Sequence, residues 1–192
     1  MREIDLNLVT NISAQNQREL LKIRNNKEIR KWMYTEHEIS SREHSNWIQS
    51  LNGEASRIAL AMFEHNKVIG AFNIYNINNL HKTCEWGWFI DPLKSGGGLG
   101  SAIEYNLIDF IFTELKMYKQ IVEVLEENTP VINLHKKFFF KEEGFKRFHF
   151  IKEGQRTSCY VLGLLSPDWE MQKDTIKHKS ENFKININLK IN

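Results

Sequence analysis

The apolar positions of this chain change period several times, and each change marks an element. Ile4, Leu6 and Leu8 alternate with charged or polar residues, the period-two pattern of a strand with one buried face. From Asn16 to Asn25, Leu20, Leu21 and Ile23 sit among polar residues as on the inner stripe of a helix. Arg24 to Met33 continues as a turn and a second short helical piece. Ser40-Ser41-Arg42-Glu43 is a capping box, and His44, Trp47, Ile48 and Leu51 run along one side of the helix it opens. The period then returns to two. Arg57 to Glu64, Val68 to Tyr75 and Thr83 to Ile90 read as three strands, the first two joined by the hairpin signal Glu64-His65-Asn66-Lys67.

Asp91-Pro92 closes the third of these strands and is followed by Lys94-Ser95-Gly96-Gly97-Gly98-Leu99-Gly100-Ser101-Ala102. An amphipathic helix is predicted over Gly98–Leu115, then a strand over Gln120–Leu125. Asn128 is placed to cap a helix that starts at Thr129-Pro130 and runs to about Phe138. Phe145–Phe150 and Arg156–Leu164 pair as a closing hairpin around Glu153-Gly154. Residues 1–166 form the predicted domain, and 167–192 a polar C-terminal tail rich in Lys and Asn. The tail's last alternation (Ile185, Ile187, Leu189, Ile191) leaves open an added strand or a mobile end. The order β-α-α-β-β-β-α-β-α-β-β predicts an α/β protein with a mixed, mostly antiparallel sheet flanked by helices. Strand–glycine loop–helix occurs once, so a doubly wound sheet is not expected.

Composition narrows the partners. With 192 residues the chain suits one domain with a sizeable core. Its 26 Lys and Arg against 24 Asp and Glu leave it near neutral, with no basic stripe for nucleic acid. Cys84 and Cys159 lie far apart inside apolar runs and form no metal spacing. They are expected to be buried thiols in a reducing compartment, and no metal is expected. No basic stretch precedes an apolar run at the N-terminus, and no stretch is long enough to span a membrane. The expectation is a cytoplasmic protein without a membrane partner.

The glycine run is the strongest chemical signal. Glycines permit close approach and positive φ, and a helix start adds partial positive charge, so residues 94–102 read as a phosphate cradle. It is not a P-loop, because no Gly-Lys-Ser/Thr ends it, and its glycines miss the dinucleotide spacing from either start. Three successive glycines are also linker composition, so a flexible surface loop stays open.

The element order with this loop at its centre resembles the GNAT superfamily of acetyl-CoA-dependent N-acetyltransferases. The superfamily loop Gln/Arg-x-x-Gly-x-Gly/Ala falls on Ser95-Gly96-Gly97-Gly98-Leu99-Gly100, with Ser95 at the usually polar or basic first position and Lys94 beside it. A second feature, Asn-x-x-Ala-x-x-Leu-Tyr-x-x-x-Gly-Phe, falls on Asn128, Val131, Leu134, His135, Phe139 and Phe140. Here Val131 replaces alanine, His135 tyrosine and Phe139 glycine. A narrower resemblance rests on Arg24-Asn25, Trp32-Met33, Glu43-His44 with Trp47, Glu85-Trp86-Gly87-Trp88, and Glu123-Val124-Leu125-Glu126-x-Asn128. It runs from about Arg24 to Leu164. These resemble the UDP-amino-sugar N-acetyltransferases of pseudaminic acid biosynthesis, which acetylate the 4-amino group of a UDP-linked 4,6-dideoxy-L-altrosamine derivative for flagellin glycosylation.

The resemblance implies a GNAT fold, acetyl-CoA as cosubstrate, a UDP-amino-sugar as partner, and direct attack by the amine; it is compatible with a homodimer. The pyrophosphate would lie on the backbone of Gly96, Gly97, Gly98, Leu99, Gly100 and Ser101, with Lys94, Ser95, Asn128 and Lys136 nearby. Phe89 and Ile90 would pair with the pantetheine arm, and a backbone N–H there would hold the carbonyl oxygen as charge develops. His135 takes the place of the tyrosine that protonates the leaving sulfur. Glu85, Glu123 and Glu126 are the candidate bases or amine-holding groups. Alternation puts Glu85 and Gly87 on one strand face and Cys84, Trp86 and Trp88 on the other. Arg30, His44, Lys82, Thr83 and Trp88 are the candidates for the nucleotide and sugar. Arg24 reads as structural. A GNAT acting on protein N-termini or aminoglycoside-like amines, or an acetyl-CoA-binding module without catalysis, remain alternatives.

Overall fold

Strand periodicity is realised in a single sheet whose two faces carry different cores. The computed structural model describes residues 1–188. β1 (Arg2–Leu8) pairs antiparallel with β2 (Ile58–Glu64), β2 with β3 (Lys67–Asn78), and β3 with β4 (Thr83–Ile90). β4 runs parallel to β5 (Lys119–Leu125), which pairs antiparallel with β7 (Gln155–Leu165), and β7 with β6 (Lys141–Lys152). β8 (Phe183–Asn188) lies parallel to β1. The order across the eight-stranded sheet is β6-β7-β5-β4-β3-β2-β1-β8. This is the mixed, mostly antiparallel sheet that the sequence predicts.

The larger core lies on the face carrying Leu60, Met62, Phe72, Ile74 and Trp86. It is closed by α4 (Leu99–Thr113) and α5 (Thr129–Lys137). The other face carries Ala59, Ala61, Phe63 and Ala71, covered by Leu20 of α1 (Ala14–Arg24) and Ile48 of α3 (Ser41–Ser50). Three alanines there leave space between sheet and helices, and that space becomes a cavity. A four-residue helix, α2 (Lys27–Arg30), links α1 to the segment before α3. The capping box at α3 is complete: Ser40 Oγ accepts from the Glu43 N–H, and the Glu43 carboxylate accepts from the Ser40 N–H. These bonds, the two to Ser40 first, hold the Glu43 carboxyl down at about 2.

Two boundaries shift for local reasons. The helix after the glycines begins at Leu99, with Gly98 as its left-handed cap residue, and ends at Thr113. The helix after Asn128 ends in a Schellman motif: Phe140 N–H donates to His135 O and Phe139 N–H to Lys136 O. Phe139 has φ +70, the conformation glycine supplies at this place in the superfamily pattern. The turn geometry is therefore kept although the glycine is gone.

Residues 166–188 do not form a tail. α6 (Ser166–Ile176) buries Trp169 completely against Tyr105, with ring centroids 5.2 Å apart, and Trp169 Nε1 donates to Asp109 at 3.0 Å. β8 adds an edge strand and buries Phe183. The polar composition misled because only one face of α6 and β8 is covered. Of the four apolar positions at the C-terminus, Ile185 and Ile187 lie in β8; Leu189 and Ile191 lie outside the described residues.

Candidate active site

The glycine run forms a compact turn. Gly96, Gly97 and Gly98 take φ values of +109, +60 and +87, so each needs the freedom only glycine has. Leu99 N–H folds back onto Gly96 O, and Ala102 N–H bonds Gly98 O. The N–H groups of Gly98, Gly100 and Ser101 donate to no protein acceptor among the described residues. They converge at the start of a fifteen-residue helix, an arrangement that favours an anion. The Leu99 side chain is fully buried, so it anchors the helix start and does not touch a ligand. Ser95 Oγ donates to Pro92 O at 2.7 Å, which commits it to the preceding turn. The Lys94 ammonium lies 3.7 Å from Glu64, a carboxylate that also accepts from Arg2 Nε at 2.8 Å. The Arg2 bond holds Glu64 below the usual carboxylate range, so the charge of Lys94 is already partly balanced.

Next to this turn the sheet opens. β4 and β5 are paired only where Thr83, Cys84 and Glu85 meet Lys119, Gln120 and Ile121. Beyond Glu85 the pairing ends, and one edge of β4 has no strand neighbour among the described residues. Asp91 N–H bonds Ile69 O, so the odd-numbered residues of β4 turn their backbone groups toward β3. Alternation then leaves the N–H and C=O of Trp88 and Ile90 facing the gap. Of the two positions expected to meet an extended ligand arm, Ile90 turns its backbone groups to the gap and Phe89 turns them to β3. The Phe89 carbonyl lies so close to Gly70 that a Cβ there would come within 2.2 Å of it.

On the α1/α3 face lies a cavity of about 460 Å³, lined among others by Arg24, His44, Trp47, Asn73, Tyr75 and Phe89. Arg57 also lines it, and no carboxylate does so among the described residues. Arg24 Nη1 and Asn73 Oδ1 are buried and have no hydrogen-bond partner among the described residues. A buried donor and acceptor left without partners each cost about 1–3 kcal/mol, and a polar ligand would relieve both. Burial, with Arg30 adding, pulls the Arg24 guanidinium below its ordinary value. Gly87 stands opposite Asn73 in the β3–β4 register. A Cβ built on Gly87 meets nothing within 4 Å, and its φ is not in the left-handed region. Neither backbone nor packing asks for glycine there; the space above it does.

On the opposite face His135 is almost fully buried, and its Nδ1 lies 2.5 Å from Glu104 Oε1. The Trp86 ring meets the imidazole edge-on with centroids 5.6 Å apart. Around the gap between β4 and β5 thus stand a turn with open N–H groups, a strand edge, a polar cavity and a buried imidazole.

A model of the acetyltransferase (GNAT) domain matches residues 8–141. The chain belongs to the GNAT acetyltransferase family. It is 30% identical over 120 residues to an uncharacterized N-acetyltransferase p20 of Bacillus licheniformis, covering 62% of this chain and 67% of that one. Over 138 residues it is 27% identical to the acetyltransferase PseH of Campylobacter jejuni, covering 71% and 84%. Among solved structures, spermidine N-acetyltransferase from Vibrio cholerae in complex with CoA and spermine superposes with a TM-score of 0.79 at 21% identity, covering 87% of this chain and 98% of that one. The sheet flanked by helices is the GNAT fold, and the protein is an acyl-CoA-dependent acetyltransferase.

Set against this GNAT framework, several residues expected at the site lie elsewhere. Trp88 points to the α4 face and its Nε1 donates to Glu104 at 3.0 Å, so its ring is not a platform in the cavity. Lys82 and Thr83 stand at the closed end of the β4–β5 junction and are not among the cavity-lining residues. Lys82 holds φ +54 in the turn, and its carbonyl accepts from Tyr118 and Lys119. Arg30 lies 4.0 Å from Glu38, near Arg24 and outside the cavity lining. His44 does line the cavity, yet its Nε2–H donates to Gln17 O at 3.1 Å, so that nitrogen ties α3 to α1. Lys136 is exposed on α5, 3.6 Å from Glu142. Asn128 stands at the start of α5 and its side chain makes no capping bond, which leaves its amide uncommitted.

The three carboxylates separate by environment in this GNAT enzyme. Glu126 accepts from the Ser158 N–H at 2.9 Å and so fastens the start of β7. Glu123 forms an ion pair with Lys146 and accepts from Tyr34 Oη at 3.2 Å and from Cys159 Sγ at 3.8 Å. The Glu123 bond raises the Lys146 ammonium, while burial pushes the Cys159 thiol up to about 11. Burial likewise takes the Cys84 thiol to about 12. Neither thiol is poised as a nucleophile. Glu85 alone has a light commitment, one bond from Asn76 at 2.9 Å, and it shares a strand face with Gly87. Sequence alone did not single out Arg24, Asn73 or Gly87 for this site, where the structure sets Arg24 and Asn73 in the cavity wall and Gly87 opposite Asn73. Arg24 reads from sequence as a loop anchor, and only the packed structure leaves it without a partner.

Proposed function

We propose that this enzyme transfers acetyl from acetyl-CoA to the 4-amino group of a UDP-linked 4-amino-4,6-dideoxy sugar of the pseudaminic acid pathway. The observation that carries the reading is the charge of the cavity: two arginines, an unpaired guanidinium nitrogen and no carboxylate. A polyamine needs several carboxylates around it, and two arginines against the single Glu85 bonded to Asn76 at the cavity's edge disfavour it. A nucleoside diphosphate presents oxygens that match guanidinium forks, and Trp47, Tyr75 and Phe89 offer faces to its rings. The sequence resemblance between Arg24 and Leu164 and the likeness to PseH support the same class.

In this reading the N–H groups of Gly98, Gly100 and Ser101 hold the CoA pyrophosphate, and the free edge of Trp88 and Ile90 holds the pantetheine arm. Asn128 borders the arm. A β4 N–H facing the gap stabilises the oxygen of the tetrahedral adduct. The sugar amine enters over Gly87, with Glu85 to hold it and take its proton. His135 Nε2 gives a proton to the departing thiolate. Thiol release from acetyl-CoA is measured with the UDP-linked 4-amino-4,6-dideoxy sugar, spermidine, an aminoglycoside and an N-terminal peptide. Release is expected with the nucleotide sugar. Release with spermidine, aminoglycoside or peptide and none with the sugar would overturn the reading, and so would acetyl-CoA binding with no turnover on any of them.

A further inference from the structure

Glu104 is a carboxylate with no exposed surface, set in the stripe of α4 that also carries Leu107, Ile108 and Ile111. Burying such a group is costly unless it is fully bonded. Its two oxygens are both used. Oε1 lies 2.5 Å from His135 Nδ1, and Oε2 accepts from Trp88 Nε1 at 3.0 Å. These bonds join three elements that border the site: α4, whose start is the anion turn, β4 at the gap, and α5. A carboxylate already accepting an indole N–H on one oxygen is suited to accept from Nδ1–H on the other, which would leave Nε2 for exchange. His135 Nε2 has no protein partner among the described residues. The ring itself is fixed by Trp86 and by Phe140, 5.2 Å away across the Schellman turn.

We infer that Glu104 is a positioning residue that sets the tautomer and orientation of His135 for protonation of the leaving thiolate. The inference rests on the reading of His135 as proton donor. The balance is simple. The amine nitrogen bonds the acetyl carbon, the C–S bond breaks with its electron pair on sulfur, and Nε2–H passes its proton to that sulfur. The proton lost by the amine returns through solvent to Nε2. Throughout, Nδ1–H stays bonded to Glu104, which stabilises the protonated ring before transfer and keeps the neutral ring in the acceptor tautomer after it.

The test is a double-mutant cycle on Glu104→Gln and His135→Ala, using the amine of the panel above that the unmodified enzyme acetylates. Each single variant is expected to lower kcat by about 10²-fold with the KM for acetyl-CoA little changed. In the His135→Ala background, Glu104→Gln should then change kcat by no more than about 2-fold, because the route through the imidazole is gone. Equal losses in both backgrounds would show a structural role and overturn the inference. An unchanged kcat in His135→Ala would instead remove the proton-donor reading on which it rests. A second measurement needs neither an acceptor nor a variant that folds: ¹⁵N chemical shifts of the imidazole in the free enzyme. They are expected to show a proton held on Nδ1; a neutral ring protonated at Nε2 alone would overturn the inference.

Discussion

Single residues here are decided by what lies next to them in space. Gly98 holds φ +87 and offers its N–H at the head of α4. In Gly98→Val, strain and lost hydrogen bonds to a charged group should weaken CoA binding by about 10²-fold or more, as titration calorimetry would measure. Normal affinity would mean the anion lies elsewhere. Gly87 makes the contrasting case, since nothing within 4 Å restricts a side chain there. Gly87→Val should leave the melting temperature and the KM for acetyl-CoA nearly unchanged, while the acceptor KM rises about 10-fold from the lost space. The difference between these two glycines was not visible in the letters. One is needed by the backbone; at the other neither backbone nor packing among the described residues requires glycine.

At the level of elements, local signals were read well. Alternation located β1 to β4, and the Ser40–Glu43 box opened α3 as expected. Such signals depend on neighbours within a turn or two. What α1 and α3 share is not local: the buried His44 ring of α3 donates to the Gln17 carbonyl of α1 at 3.1 Å. Burial lowers the His44 pKa from the ordinary 6.5, the Gln17 bond only partly opposing it. The unfolded chain therefore takes up the proton first as pH falls, and stability contributed by neutral His44 is complete above about 6.5 and lost below it. Melting temperature should decline as pH drops below this value, and His44→Gln should flatten that part of the profile. An unchanged slope in the variant would place the titration elsewhere. The α5 turn shows the reverse lesson. Phe139 departs from the superfamily glycine, yet both Schellman hydrogen bonds are present and His135 is held in place.

On the scale of the molecule, the sheet separates two faces, and β4 and β5 are paired only from Thr83 to Glu85. One face holds the polar cavity, the other the Glu104–His135 pair, and the anion turn stands at their common end. The C-terminal segment completes this body. Trp169, fully buried and bonded to Asp109, packs on α4, the helix that begins at the turn. Trp169→Ala should cost about 3–5 kcal/mol of stability, read by denaturant unfolding. A loss below about 1 kcal/mol, the range of exposed sites, would show that the segment is an appendage after all.

Resemblance to the GNAT superfamily supplied the cosubstrate; the sequence by itself determined the elements up to Leu165, the mixed sheet and the glycine turn. Those properties follow from periodicity, capping and backbone freedom, which act over a few residues. Tertiary structure alone decided that Glu85 carries just the Asn76 bond, that Trp88 faces α4, and that Arg24 Nη1 and Asn73 Oδ1 lack partners, all among the described residues. It also brought Glu104 to His135, 31 positions away in the chain. Each of these depends on which strands pair and which faces meet. Whether a polar group is satisfied by protein or left for a ligand is settled only when the rest of the chain has packed around it.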